Sequence, residues 1–519
     1  MYLTQALKRA VQQRGNELAT WCAGRERTWI ECQERITRLA GALHGLGVKE
    51  GDRVAILAMN SDRYFEYFYG VPWAGAVFVP INTRLAPAEI AFWLNDSGSE
   101  VLLIDDRFLE TLAALDGQLE NVREVVYIGD DETPDGLLDY ERLLAEASPA
   151  DDAERGYNDV AGIFYTGGTT GRSKGVMLSH QNMTCNNFNV IPSLGFKVGM
   201  RWLHAAPMFH IADGLAVFGV TMSAGVHFFI PGFTPTATLQ AFSEHRITNC
   251  LLVPTMLNML VNDPNVGDYD LSSLEAIVYG ASPMPEAVVR RAMEVLPGCK
   301  FTHAYGQTEL APLATCTGPE YHVLDGPNAG MYKSAGQAVL GVEVKICDEN
   351  GVEVDRGTVG EIRVRGPNVM LGYWKRPDLT DEAIRDGWMC TGDGGRMDER
   401  GFVFVVDRMK DMIISGGENV YSAEVENAIH QHPAVAEAAV IGVPDDKWGE
   451  KVHAIVHLKD GAEADADAII GHCHNLIAGF KCPRSVDFRE QPLPLSGAGK
   501  ILKTELRKPF WEGRDKQVS

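Results

Sequence analysis

Apolar residues near the start of the chain recur at helical spacing and are followed by short apolar runs. In ITRLAGALHGLG, the residues Ile36, Leu39, Ala40 and Leu43 share one helical face, and DRVAIL follows as a buried strand. The pattern repeats: DRYFEYFYGVPWAG and APAEIAFWLNDSG predict helices, and AVFVPI and EVLLIDD predict strands. This alternation predicts an α/β layer structure with parallel strand pairing.

The hydrophobic pattern changes twice in the second half of the chain. Over about 327–409, SAGQAVLGVEVKICDENGVEVDRGTVGEIRVRG alternates apolar and polar residues around turn signals, which predicts antiparallel strands in a small barrel or sandwich portion. The tail then predicts a helix capped at Ser422, followed by strands. The expected fold is α/β: a large N-terminal domain of layered α/β subdomains over 1–409 with that β-rich portion, and a small mobile α+β C-terminal domain over 410–519.

Composition and charge narrow the classes of function. The 519 residues are 45% hydrophobic and carry a formal net charge of −23, which indicates a globular protein and disfavours nucleic acid as a partner. The start MYLTQALKRAVQQRG turns polar too early for a secretory signal, and the longest apolar stretch, 214–230, contains His227 and is interpreted as core. We therefore expect a soluble cytoplasmic protein without a transmembrane segment; its oligomeric state stays open, a homodimer included.

Ten cysteines are scattered from Cys22 to Cys482 without a C-x-x-C pair. This spacing argues against a disulfide framework and a zinc ribbon and predicts reduced, mostly buried thiols. His472, Cys473 and His474 are consecutive, but neighbours on a helix face different ways and no second ligand pair follows, which disfavours a metal site there.

The segment YTGGTTGRSKGVMLSH lies between two strand-like runs and is rich in hydrogen-bond donors. Its glycines expose backbone N–H groups, and the hydroxyls of Thr166, Thr169 and Thr170 and the ammonium of Lys174 add donors with little bulk, as a polyphosphate requires. It is not a Walker A loop, because Ser173 precedes the lysine and a glycine follows it. A surface hairpin with turn glycines is the alternative.

Three further segments carry groups suited to a nucleotide. Residues 305–309, YGQTE, combine an aromatic face, a hydroxyl and a carboxylate, which can stack a base, bind phosphate and hold Mg²⁺. Asp393 in TGD can take both ribose hydroxyls, and DRMK follows at 407–410. Near the C-terminus, PLPLSGAGKILKTELRK places Lys500 on a glycine-rich loop.

These segments, in this order, resemble the adenylate-forming superfamily of acyl-CoA synthetases, peptide-synthetase adenylation domains and beetle luciferases. The resemblance covers essentially the whole chain, and DMIISGGENVY and SGAGKILKTELRK are most similar to bacterial acyl-CoA synthetases for fatty or aryl acids. It implies two half-reactions: a carboxylate and ATP form an acyl-adenylate and pyrophosphate, and coenzyme A then displaces AMP.

The resemblance also implies residue roles in the first half-reaction. Lys500 would promote adenylation, Thr308 would contact the α-phosphate, and Glu309 would bind Mg²⁺. The loop holding the β- and γ-phosphates would comprise Thr166, Gly167, Gly168, Thr169, Thr170, Gly171 and Lys174. The adenine and ribose site would comprise Gly280, Ala281, Ser282, Ala304, Tyr305, Gly306, Gln307, Asp393 and Arg408.

For the second half-reaction, the resemblance implies rotation of the C-terminal domain about Lys410, which brings Gly416, Gly417 and Glu418 to the coenzyme A tunnel. The acyl pocket would include His210, Asp213, Gly214 and Pro312. Asp213 either contacts a polar substituent of the substrate or caps a helix beginning at Gly214.

The sequence departs from the family pattern at a few positions. Gly167 replaces a usual serine, Ser173 a common proline, and Gly394 and Gly395 follow Asp393 where an apolar residue usually comes first. None of these changes removes a charged catalytic group, so activity is expected. A stand-alone adenylation enzyme that loads a carrier protein and a catalytically impaired nucleotide-binding homologue remain the alternatives.

Overall fold

A computed structural model of the chain describes residues 1–166, 173–282, 284–409, 411–415, 418–445, 447–496 and 500–512. The helices are α1 Gln5–Arg14, α2 Trp29–Gly45, α3 Asp62–Trp73, α4 Pro87–Ser97, α5 Leu109–Ala114, α6 Tyr140–Glu146, α7 His180–Ser193, α8 Ile211–Met222, α9 Pro235–Glu244, α10 Pro254–Val261, α11 Glu286–Val295, α12 Pro377–Ala383, α13 Ser422–His430, α14 Ala466–His474 and α15 Lys503–Trp511.

The strands of the N-terminal part are β1 Leu18–Cys22, β2 Arg25–Thr28, β3 Arg53–Leu57, β4 Val77–Pro80, β5 Ser99–Ile104, β6 Glu124–Tyr127, β7 Leu138–Asp139, β8 Val160–Thr166, β9 Lys174–Ser179, β10 Arg201–His204, β11 Val226–Phe229, β12 Asn249–Leu252, β13 Ala276–Gly280, β14 Lys300–Gly306, β15 Leu313–Thr317 and β16 Gln337–Ala338. The later strands are β17 Glu343–Cys347, β18 Gly360–Arg365, β19 Gly372–Tyr373, β20 Ile384–Arg385, β21 Trp388–Met397, β22 Val403–Arg408, β23 Ile413–Ser415, β24 Glu418–Val420, β25 Val435–Asp445, β26 Gly449–Leu458 and β27 Ser485–Arg489.

Two large mixed sheets form the N-terminal part. One has the strand order β16-β15-β14-β13-β12-β10-β11-β1-β2, and the other has the order β19-β9-β8-β4-β3-β5-β6-β7. Their inner pairs are parallel, whereas the β8–β9, β14–β15 and β1–β2 pairs are antiparallel. The predicted alternation of helices and parallel strands from Ile36 to Asp106 is confirmed.

Helix α2 shows why the local sequence folds as predicted. Thr28 and Glu31 form a capping box at its start. The four apolar residues assigned to one face, Ile36, Leu39, Ala40 and Leu43, are all buried. The apolar stretch 214–230 is likewise core, because it supplies most of α8 and strand β11, and His227 is completely buried within it.

The β-rich portion is a five-stranded antiparallel sheet of β17, β18, β20, β21 and β22. The short strands β16 and β19 lie in the same sequence region but pair with the two large sheets instead. The tail folds as predicted into an α+β unit, in which a sheet of β23 to β27 carries helices α13 to α15.

One predicted detail of this tail is wrong. Ser422 does not cap α13: it is the first residue of that helix, after Tyr421, and its hydroxyl donates to Asp407 of strand β22. The predicted boundary residue Lys410 lies outside the described residues. All ten cysteines are free thiols, and six of them are buried, as expected.

Candidate active site

The carboxyl ends of two neighbouring parallel strands, β13 and β14, bring together the predicted adenine segments. Gly280 pairs with Ala304, so Ala281 and Ser282 follow one strand where Tyr305 and Gly306 end the other. Ligands of open α/β sheets bind at such strand ends. A Cβ atom on Gly280 would lie 2.1 Å from the Ala304 carbonyl oxygen, so only glycine permits this strand spacing.

The predicted ribose group Asp393 is held between two other predicted residues. Tyr305 donates its phenolic hydroxyl to Asp393 Oδ2 at 2.8 Å, and Arg408 Nε lies 2.9 Å from Oδ1. Asp393 and Arg408 are paired across β21 and β22. The carboxylate is 6% exposed and therefore sits in a fixed orientation. A Cβ atom on Gly394, one of the departures from the family pattern, would lie 3.1 Å from Met409 Sδ.

Tyr373, which the sequence did not single out, contacts both Lys174 of the phosphate-loop hairpin and Glu309. Strands β8 and β9 form the predicted hairpin, closed by the Thr166–Lys174 pair. Lys174 Nζ lies 4.8 Å from the centroid of the Tyr373 ring, and the Tyr373 hydroxyl donates to Glu309 Oε1 at 2.9 Å. The tip of the loop, with Gly167, Gly168, Thr169, Thr170 and Gly171, lies outside the described residues.

Residues 306 to 312 form a tight turn at the end of β14. The Gln307 backbone N–H donates to the Pro312 carbonyl at 3.0 Å, and a Cβ atom on Gly306 would lie 1.7 Å from that same carbonyl oxygen. Thr308 and Glu309 follow in a short 3₁₀ turn and are each 9% exposed. Among the described residues, the buried Gln307 Nε2 has no hydrogen-bond partner, so an amide donor is available for a ligand.

Lys500 lies close to the charged groups of the N-terminal domain. Burial lowers the pKa of Lys500 to about 8, with a further contribution from Arg408, while Asp393 and Glu309 act in the opposite direction. Burial also lowers the pKa of His210 to about 3, and the charge of Lys500 adds to this effect. The Lys500 ammonium is therefore within electrostatic range of His210, Arg408, Asp393 and Glu309.

Ser496, four residues before Lys500, contacts Arg84 and Lys500. Arg84 Nη1 donates to the Ser496 carbonyl at 3.2 Å, and the Ser496 backbone N–H donates to the Lys500 carbonyl at 2.6 Å. The Lys500 backbone N–H in turn donates to Ser496 Oγ at 3.1 Å. These contacts connect Lys500, through Ser496, to Arg84.

At the predicted acyl pocket, His210 is the residue that caps a helix. Its Nδ1 accepts from the Ala212 backbone N–H at 3.3 Å, so α8 begins at Ile211. The predicted start at Gly214 is therefore wrong, and Asp213 is not its cap. A Cβ atom on Gly214 would lie 2.7 Å from the Met208 carbonyl oxygen, so this position needs glycine.

Asp213 belongs to a completely buried polar network. Its Oδ1 accepts from Trp202 Nε1 at 3.3 Å, and its Oδ2 lies 2.9 Å from His204 Nδ1. His204 Nε2 is 3.0 Å from His227 Nδ1, and His227 Nε2 is 3.1 Å from Thr221 Oγ1. Both carboxylate oxygens thus have partners inside the protein, and a contact between Asp213 and the substrate stays a prediction.

The direction of the hydrogen bonds in this network can be assigned. Thr221 Oγ1 donates to the Val217 carbonyl, so it accepts from His227 Nε2–H, and His227 Nδ1 then accepts from His204 Nε2–H. Burial lowers the pKa of His227 well below its ordinary value, in agreement with a neutral ring.

Several predicted residues of the second half-reaction are not described. Lys410, Gly416 and Gly417 lie outside the described residues. Glu418 is exposed and begins strand β24, where it pairs with Ser415 of β23.

The sequence did not predict three sets of polar contacts. These are Tyr373 with Glu309, His204 with His227, and Ser422 with both Asp407 and Lys503. Each joins residues from distant segments, so no local motif signalled them. In the described part of the chain, no group of three or more His, Cys, Asp or Glu side chains could hold a metal ion. None of the helices that the structure describes is long and apolar enough to cross a membrane.

Comparison with known families agrees with this geometry. The model of the AMP-binding enzyme family matches residues 7–374, and that of the AMP-binding enzyme C-terminal domain matches residues 424–500. The chain belongs to this family of adenylate-forming enzymes. Within it, the protein is an ATP-dependent, AMP-forming acyl-CoA ligase. Two CoA ligases and an ATP-bound solved structure, all similar to it over nearly the whole chain, support this assignment.

A feruloyl-CoA synthase of Amycolatopsis is 41% identical over 486 residues, 93% of this chain and 94% of the relative. A long-chain-fatty-acid–CoA ligase of Mycobacterium tuberculosis is 35% identical over 488 residues, 93% of each chain. Among solved structures, ATP-bound MatB from Rhodopseudomonas palustris superposes with a TM-score of 0.87 at 31% identity and covers 99% of both chains.

Proposed function

We propose that the protein activates an aromatic carboxylic acid of the hydroxycinnamate type and transfers it to coenzyme A, with Mg²⁺ as the metal that accompanies ATP. The similarity to a feruloyl-CoA synthase over nearly the whole chain is the observation that carries this substrate class. Both ATP and coenzyme A are cytoplasmic metabolites, so we place the reaction in the cytoplasm.

In the proposed adenylation step, Tyr305 stacks on adenine and Asp393 accepts from the ribose hydroxyls, with Arg408 holding the carboxylate in place. Lys174 and Thr308 bind phosphate oxygens. Lys500 places its ammonium between the carboxylate of the acid and the α-phosphate, and so lowers the electrostatic barrier between two anions. His210 borders the acyl group beside Lys500.

Glu309 fits a magnesium site that is completed by the phosphates of ATP. Its nearly buried carboxylate is oriented by the Tyr373 hydroxyl, and Mg²⁺ commonly binds through one or two carboxylates together with substrate phosphates. When bound, the metal would offset negative charge as pyrophosphate leaves.

For thioester formation, we propose that the C-terminal domain turns about Lys410, so that Lys500 withdraws and the segment with Gly416, Gly417 and Glu418 approaches the adenylate. Lys500 then has no role in the second step. Lys500→Ala should therefore lose acid-dependent adenylation and still convert supplied acyl-adenylate to thioester.

The substrate class is tested by measuring pyrophosphate release and loss of free thiol, with and without coenzyme A, for ferulate, cinnamate, benzoate, decanoate and palmitate. We expect kcat/KM for ferulate to exceed that for palmitate by about tenfold or more, with equal pyrophosphate and thiol consumption. A preference for palmitate would overturn the aromatic assignment. Pyrophosphate release without thiol loss would indicate a carrier-loading enzyme, and no release with any acid would indicate an impaired homologue.

A further inference from the structure

Asp407, near the end of strand β22, caps a helix of the C-terminal domain. Its Oδ2 accepts from the backbone N–H of Ser422 at 2.5 Å and from Ser422 Oγ at 2.6 Å, and its Oδ1 accepts from the Arg408 backbone N–H at 2.8 Å. Helix α13 has no side-chain cap of its own at Tyr421. An anion is favoured at a helix N-terminus, so a residue of β22 stabilises a helix of the next domain.

Lys503 extends this contact to helix α15. Its Nζ donates to Ser422 Oγ at 2.5 Å and forms an ion pair with Glu426 Oε1 at 2.7 Å. The Ser422 hydroxyl thus accepts from Lys503 and donates to Asp407. Burial alone would lower the pKa of Lys503, but the charges of Glu426 and Asp407 raise it above the ordinary value, so the ammonium is retained.

A contribution to the stability of α15 does not explain why a lysine stands at position 503. It is the first residue of that helix, where a cation is unfavourable because the helix dipole is positive at this end. The exposed Lys508 of the same helix is in the last turn, where a cation is favourable. Lys503 instead points into the junction between β22 and α13.

This junction lies next to two residues of the proposed site. Asp407 directly precedes Arg408, and Lys503 follows Lys500 by three residues. Between the two lysines, Ile501 forms a β-bridge with Leu495. A displacement of Lys503 would therefore be transmitted through a short, hydrogen-bonded segment to Lys500.

We propose that Lys503 and Ser422 are positioning residues, which hold the Lys500 segment over the nucleotide site by tying the C-terminal domain to Asp407. The inference rests on the proposed role of Lys500. Without the tie, the domain spends less time in the arrangement that adenylation requires, whereas the second half-reaction, which does not use Lys500, keeps its rate.

The test measures the two half-reactions separately in the full-length enzyme. Acid-dependent exchange of pyrophosphate into ATP reports adenylation, and supplied acyl-adenylate with coenzyme A reports thioester formation. Ser422→Ala and Lys503→Met should each lower adenylation by about tenfold, the loss expected for one charge-assisted hydrogen bond, with thioester formation nearly unchanged. Lys503→Arg should restore most of the adenylation rate, and the matched control Lys508→Met should match the unaltered enzyme.

Equal losses in both half-reactions would overturn the proposal, because a general loss of folding affects both. No loss in either would also overturn it. Lys500→Ala, measured in parallel, separates a failure of this proposal from a failure of the proposed function. If Lys500→Ala leaves adenylation intact, the proposed role of Lys500 is wrong, whatever the result for Ser422→Ala.

Discussion

Tyr305 donates its phenolic hydroxyl to Asp393 across 2.8 Å, although 88 positions separate the two residues in sequence. The contact joins the ring that we propose stacks on adenine to the carboxylate that we propose binds the ribose. Tyr305→Phe keeps the ring and removes the hydrogen bond, so we expect the KM for ATP to rise about fivefold with little change in kcat. Steady-state kinetics at varied ATP concentration measure KM and kcat. The control is Tyr321→Phe, because the Tyr321 ring packs against Phe402. An unchanged KM would show that the contact does not orient Asp393 for ATP.

The rate of adenylation should fall as the pH rises through about 8. The pKa of Lys500 is lowered to about 8, so its ammonium is lost more than two pH units below the range in which a free lysine titrates. The kcat/KM for ATP reports the free enzyme and should therefore show a descending limb near pH 8. Lys500→Arg keeps its charge and should lack this limb. A wild-type profile that stays flat up to pH 10 would contradict the prediction.

Glu309→Gln should weaken the response to magnesium more than the binding of ATP. The amide keeps an oxygen acceptor for the Tyr373 hydroxyl but loses the negative charge. We expect the Mg²⁺ concentration at half-maximal pyrophosphate exchange to rise about tenfold, and removal of the metal by a chelator to abolish exchange in both proteins. The exposed Glu320→Gln is the control. A titration identical to that of the wild type would assign the metal to other groups.

Gly280→Ala should destabilise the protein strongly. Its Cβ atom would lie 2.1 Å from the Ala304 carbonyl oxygen, a backbone atom that cannot move aside cheaply. We expect the free energy of unfolding to fall by about 1–3 kcal/mol or more, measured by urea denaturation. Gly298→Ala is the matched control, because a Cβ atom there meets no heavy atom within 4 Å. Equal stability of the two variants would mean that β13 and β14 shift apart easily.

Asp213→Ala distinguishes a structural role from recognition of the substrate. Removing the carboxylate leaves His204 Nδ1 and Trp202 Nε1 without their buried acceptor, so the free energy of unfolding should fall by about 3–5 kcal/mol. The exposed Asp268→Ala should have no such effect. If Asp213 instead contacts the acid, the variant will keep its stability, and the ranking of substrates by kcat/KM will change.

The sequence by itself determined the order of helices and strands near the start of the chain and the hairpin of β8 and β9. It also singled out candidate nucleotide residues, and their roles stay a prediction. Hydrophobic periodicity reflects which face of a helix or strand is buried, and this depends on neighbours only a few positions apart. The YGQTE segment was equally visible, because its aromatic, hydroxyl and carboxylate groups are consecutive.

Tertiary structure alone decided which of these groups meet. The start of α8 was misplaced because His210, rather than Asp213, supplies the cap, while Asp213 turns to His204 and Trp202. Asp407 and Lys503 meet at Ser422 although 96 positions separate them. Such contacts depend on how sheets and domains pack, and a single sequence gives no periodic signal for pairs so far apart.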